Sequence, residues 1–164
     1  MMELRPDLPV QLVPVSWLVG TWTGVGVGGY PEVPEFRFGQ ELTISEVPDK
    51  PFLHHQSRSW LLDEAGEKVR GLAQETGYWR PESDGSLEFV LAHPTGFVEV
   101  WVGAADGAKI ELSTDVVART ATAKDYTAGH RLYGLVDGNL LWAYDMAAMG
   151  HPLQPHLSAT LHRS

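Results

Sequence analysis

From Glu35 to the C-terminus the chain is a succession of short runs in which apolar and polar residues alternate, each stopped by turn chemistry. "FRFGQELTISEV" alternates from Phe36 to Val47 and meets Pro48-Asp49. "PFLHHQSRSWLL" runs into Asp63-Glu64-Ala65-Gly66, and "LAQETGYWRP" ends at Pro81 before the turn "ESDG". "HPTG" then joins "LEFVLA" to "FVEVWVG", "AADGA" leads to "KIELSTDVV", and "VDGN" joins "HRLYGL" to "LLWAYDM". A period of two is the signature of a half-buried strand, and connections this short join antiparallel neighbours. Roughly ten such runs predict an all-β antiparallel up-and-down barrel of lipocalin-like build.

Two features qualify that reading at the N-terminal end. "GTWTGVGVGGYP" keeps the period of two but spends it on Gly24, Gly26 and Gly28, residues that weaken a strand unless it bends or something approaches its backbone closely. "LPVQLVPVSWLVG" alone has a helical rhythm. Pro14 is expected to limit that helix to about a turn or two, capping one end of the barrel and burying Trp17 and Leu18. The acids Glu41, Glu46 and Glu99 read as members of solvated outer faces.

The 164 residues suffice for one domain spanning 1–164, with about residues 1–10 read as a flexible tail. Twelve Lys+Arg against 21 Asp+Glu give a formal net charge of −9, which disfavours nucleic acid and anionic membrane surfaces as partners. With no cysteine, thiolate catalysis, disulfides and Cys-ligated metal centres are excluded. The N-terminus has neither the pattern of a signal peptide nor that of a membrane span, so cytoplasmic residence is the expectation.

The seven histidines (His54, His55, His93, His130, His151, His156 and His162) are then the strongest metal ligands available. No HExxH or His-x-His pair occurs, and alternation puts His54 and His55 on opposite faces of a strand. In "GHPLQPHLSATLHR", alternation groups His156 with Ser158, Thr160 and His162, and Leu157 with Ala159 and Leu161. On periodicity alone the polar group meets solvent; the competing reading turns His156 inward as a lone axial ligand. No nucleophile elbow, phosphate loop or carboxylate pair carries a hydrolytic or phosphoryl-transfer reading.

Both ends of the chain resemble the nitrobindins, a family of small haem-binding antiparallel barrels similar in shape to the fatty-acid-binding proteins. The first likeness is G-x-W-x-G-x-G-x-G-x-Y-P, met by Gly20, Trp22, Gly24, Gly26, Gly28, Tyr30 and Pro31. The second is "PLQPHL", Pro152 to Leu157, and similarity continues through "ETGYWRP", "LAHPTGFVEV" and "TAKDY".

The resemblance implies haem b iron held by His156, which is then both metal ligand and catalytic residue. Gly26, Gly28, Leu72, Ala73, His93, Lys124 and Met146 are implied to contact the cofactor, with Lys124 pairing a propionate. It further implies isomerisation of peroxynitrite to nitrate without a general base, binding of nitric oxide, and a monomer or homodimer with small-molecule partners only. Glu32 stands where some relatives have a haem-contacting threonine. Ala73 stands where some have a histidine, which implies an apolar, donor-poor distal wall. Two alternatives belong to other classes: a haemless carrier of an apolar ligand such as a fatty acid, and a haem-based nitric-oxide sensor.

Overall fold

The structure, a computed structural model, describes residues 7–164. Ten strands follow one 3-10 helix, Val10–Leu18: β1 Gly20–Tyr30, β2 Val33–Glu46, β3 Leu53–Leu62, β4 Lys68–Pro81, β5 Ser86–His93, β6 Phe97–Asp106, β7 Lys109–Arg119, β8 Tyr126–Val136, β9 Asn139–Ala148 and β10 Gln154–Arg163. Each strand pairs antiparallel with its sequence neighbour, and β10 returns to pair with β1, closing the barrel. Closure removes the unpaired edges that an open meander would expose. The expected up-and-down barrel is the fold observed.

The hairpins follow from their turn residues. Asp137 and Gly138, with φ of 53° and 81°, supply the two left-handed positions that a two-residue turn between twisted strands requires. Along β9, Leu140, Trp142, Tyr144, Met146 and Ala148 all point inward and are buried, the period of two that the sequence carries.

The helix differs from expectation. It runs for nine residues through Pro14, about three turns of 3-10 geometry rather than one or two. Leu12, Val15 and Leu18 recur every third residue, which a helix of three residues per turn places on one buried face. Trp17 falls outside that stripe and is only half-buried, its Nε1 donating to the Pro14 carbonyl at 3.0 Å. Trp22 ties the cap to β1 by donating from Nε1 to the Leu18 carbonyl at 2.9 Å. Of the expected tail, residues 1–6 lie outside the described residues, while Leu8 packs against the core.

The glycines of β1 are explained by close approach. A Cβ on Gly26 would strike the Phe38 ring, the Ser158 carbonyl and the Ala159 methyl, and one on Gly28 would strike the Phe36 ring and a Leu157 methyl. Those rings lie across the strand because it offers them no side chains. The helix closes the end where β1 begins, and the opposite end, near Tyr30, leads into a cavity.

Candidate functional site

The cavity has a volume of about 600 Å³, and its walls are predominantly apolar. That size is within the range of small-molecule and cofactor sites. Phe36, Phe38, Leu72, Trp142, Tyr144 and Leu157 supply much of the apolar surface, and His156 lies among them.

His156 reaches the cavity through an irregularity. In the β9–β10 ladder Pro155 pairs with Asp145 and Leu157 with Tyr144, so His156 is an extra residue opposed by no partner. A bulge of this kind re-aims a side chain. Here it moves His156 off the exposed face of Ser158, Thr160 and His162 and places it beside Leu157 on the cavity wall. The solvent-facing reading of His156 is thereby corrected: alternation holds from Ser158 onward and fails at the bulge.

The imidazole is held by two aromatic rings and at one nitrogen. Nδ1 lies 3.0 Å from the Gly29 carbonyl, which can only accept, so Nδ1 carries the proton and Nε2 keeps a free lone pair. The rings of Tyr30 and Tyr144 meet the imidazole edge-on at 5.5 and 5.7 Å. Tyr30 is itself locked, donating to the Met146 carbonyl at 2.8 Å and accepting from the Ala148 N–H at 3.0 Å. Burial lowers the His156 pKa below the usual histidine value; the Gly29 bond opposes this, and the cations of Lys124 and Arg131 reinforce it.

Of the residues implied to contact a cofactor, Leu72, Ala73, His93, Lys124 and His156 come together around the cavity. Gly26 and Gly28 lie outside it, beneath Phe38 and Phe36, and shape it through those rings and Leu157. Met146 is buried in the barrel but does not border the cavity, because its strand neighbour Tyr144 occupies that stretch of wall; its carbonyl anchors Tyr30. Glu32 sits exposed in the β1–β2 turn with φ of 70° and also lies off the lining.

Three groups of polar residues lie on or behind the apolar walls. Arg131 forks onto Glu75 through two bonds of 3.0 Å and donates to the Tyr133 hydroxyl at 3.0 Å. His55 completes this network: Trp79 Nε1 donates to its Nδ1 at 3.1 Å, so its Nε2–H donates to Glu75 at 2.8 Å. Burial alone would raise the Glu75 pKa, but the Arg131 charge, with hydrogen bonds from His55 and Arg131, carries it well below the usual carboxylate value. A second group links Gln40, Ser57 and Trp142. Gln40, Ser57, Glu75 and Arg131 all border the cavity.

The third group centres on Glu99, which is 1% exposed and not on a solvated face. It accepts from His93 Nε2 and from the Tyr126 hydroxyl, each at 2.5 Å. The signal was present in "FVEVWVG": Glu99 is in phase with Phe97 and Trp101, both buried. Arg131 is likewise in phase with Tyr133, and Glu75 with Trp79. A charge in step with an apolar face marks an interior network. Lys124 stands at the rim, its ammonium 5.6 Å from the Phe97 ring and 5.8 Å from that of Tyr126. Partial burial of the ammonium lowers its pKa, and Glu99 opposes the shift.

The donor set suits an iron that arrives already ligated. Among the described residues no group of three or more His, Asp or Glu side chains is placed to hold a bare metal ion. A single neutral imidazole, oriented by a carbonyl and set in an apolar cavity, matches a porphyrin iron that needs one axial donor.

Residues 11–163 match the model of the THAP4-like, heme-binding beta-barrel domain. A protein named peroxynitrite isomerase from Nocardioides sp. (strain ATCC BAA-499 / JS614) is 53% identical over 161 residues, covering 98% of each chain. A ferric nitrobindin-like protein from Kineococcus radiotolerans is 50% identical over 177 residues, covering 99% of this chain and 98% of its own. Among solved structures, that of Rv2717c from M. tuberculosis superposes with a TM-score of 0.86 at 37% identity, covering 96% of this chain and 99% of that one.

Proposed function

This chain belongs to the THAP4-like, heme-binding beta-barrel family, and from that premise we propose that it binds haem b through His156 and isomerises peroxynitrite to nitrate. Nitric oxide binds the same iron, and the barrel acts as one unit in the cytoplasm, as a monomer or homodimer. One observation carries the assignment of His156: its ring borders the cavity with Nδ1 committed to the Gly29 carbonyl, leaving Nε2 as the free donor.

When bound, haem supplies the redox-active iron on which the rearrangement of the O–O bond depends. The chain's own residues do the rest. His156 would hold the iron through Nε2, in the tautomer that the Gly29 carbonyl keeps. Tyr30 and Tyr144 fix the plane of its ring. Leu72, Ala73 and His93, which border the cavity, would wall the macrocycle, and Lys124 would pair a propionate. Gly26, Gly28 and Met146 act from outside the cavity: the glycines make room for Phe38 and Phe36, and Met146 holds Tyr30. Lys124 puts a cation at the rim of a cavity whose other buried charges, Arg131 and Glu75, are paired with each other. The reaction needs no net proton transfer, and no general base is assigned. Among the described residues no helix is long and apolar enough to cross a membrane.

The test is a hemin titration of the apoprotein followed at the Soret band, run on wild type and His156→Ala. A saturable one-to-one complex that is lost or spectrally altered in the variant is the expected result. An identical Soret band and affinity in both proteins would remove His156 from the iron.

A further inference from the structure

We propose that Tyr144 is a site of self-nitration, modified at ring carbon by peroxynitrite handled in the cavity; the proposal rests on the peroxynitrite reading above. The chain has five tyrosines, and their placements differ sharply. Tyr144 is the one among them that borders the cavity. Its ring lies 5.7 Å from the imidazole of His156, the residue that would hold the iron. Tyr30 also touches His156 but lies off the cavity lining, its hydroxyl engaged by the β9 backbone. Tyr126 and Tyr133 are 0% and 2% exposed and lie outside the lining. Tyr78 is 46% exposed on the outer surface, which makes it an internal reporter of reaction in bulk solvent.

The Arg131 guanidinium carbon sits 4.8 Å from the Tyr144 ring centre and, with its charge paired to Glu75, bounds the cavity beside that ring. The chemistry balances without a further reagent. Peroxynitrous acid is the oxidant: the ring C–H bond ortho to the hydroxyl and the O–O bond break, a C–N bond and a water O–H bond form, and the products are nitrotyrosine and water. The ring gives up two electrons, and the O–O bond takes them. Each such event diverts one oxidant from nitrate, so nitration is a side path of turnover whose position is set by the cavity.

Hemin-reconstituted protein and hemin-free protein are each given repeated additions of peroxynitrite, with nitrate yield and rate followed and nitration at every tyrosine quantified by peptide mass spectrometry. A second series contains a water-soluble phenol that intercepts nitrating species in bulk. The expected result is hemin-dependent labelling of Tyr144 several-fold above Tyr78, with the phenol suppressing Tyr78 and sparing Tyr144. Accelerated nitrate formation with Tyr78 labelled and Tyr144 unmodified would overturn the proposal while leaving the isomerase reading in place. Labelled Tyr144 without accelerated nitrate formation would overturn that reading, and with it self-nitration as a side path of turnover. Neither acceleration nor Tyr144 labelling would overturn both.

Discussion

The His156 imidazole and the Gly29 carbonyl, 127 positions apart in the chain, meet at 3.0 Å across the seam where β10 closes on β1. The bond that orients the ligand histidine is therefore made by the closing strand pair itself. Barrel closure and readiness of the site are one event, since neither partner has the other until β10 docks.

The lowered His156 pKa gives a pH dependence for hemin binding. An ordinary histidine is half protonated near its usual value of 6.5, whereas burial keeps this one neutral there. Only the neutral ring can donate to iron. Hemin affinity is expected to hold as pH falls through 6.5 and to decline below it, and a titration series at the Soret band checks this. Affinity already falling above 6.5 would contradict the assignment.

His55 predicts a pH dependence of stability. Burial lowers its pKa below 6.5, outweighing the hydrogen bond to Glu75 that acts in the opposite direction. Between the folded and unfolded values the unfolded chain binds a proton that the folded chain refuses, so stability rises with pH. The contribution is complete above 6.5 and is lost as pH falls from there toward the folded value. Denaturant midpoints of the apoprotein should decline over that window, and His55→Gln should flatten part of the slope while lowering stability at neutral pH.

Glu99 ties two donors to one buried carboxyl group. Glu99→Ala leaves the His93 and Tyr126 donors without their acceptor and is expected to cost about 2–4 kcal/mol in equilibrium unfolding. Glu99→Gln keeps one acceptor oxygen and should cost less. Equal losses in the two variants would mean that the hydrogen bonds are not what stabilises this site.

The two glycines should separate stability from ligand binding. Gly26→Ala presses on the Ser158 carbonyl, a backbone atom of the seam, and is expected to destabilise by about 1–3 kcal/mol. Gly28→Ala meets the end of the Phe36 ring and a Leu157 methyl, which can swing aside. Both of those side chains border the cavity, so the Gly28 variant should weaken hemin binding more than it weakens the fold. Unfolding curves and hemin titrations on the same two proteins decide the matter.

Lys124→Glu reverses the charge at the rim. Loss of a charge-assisted contact worth about 1.5 kcal/mol or more predicts at least about a tenfold loss of hemin affinity. The thermal unfolding midpoint of the apoprotein should stay near wild type, because Lys124 lies on an exposed loop. Unchanged affinity would take Lys124 out of the site.

The strand succession, the turn at Asp137-Gly138 and the inward face of β9 were legible in the sequence because each rests on neighbours within a few residues. The glycines of β1 were legible as an anomaly, and the flanking motifs pointed to His156. What alternation could not disclose was the direction in which His156 faces. One unopposed residue in the β9–β10 ladder shifts the phase of the strand, and a bulge is defined by the partner strand, not by the strand's own composition. The same limit hid Glu99, Glu75 and Arg131. A charged side chain is stable inside only when groups from other strands meet it, and those pairs, Glu99 with Tyr126, Glu75 with His55 and Arg131 with Glu75, are brought into contact by the register of the closed barrel. Local periodicity thus determined the barrel and its strands; which polar residues face inward, and which nitrogen of His156 is free, were decided by pairing between distant segments, where hydrogen-bond satisfaction outweighs the cost of burial.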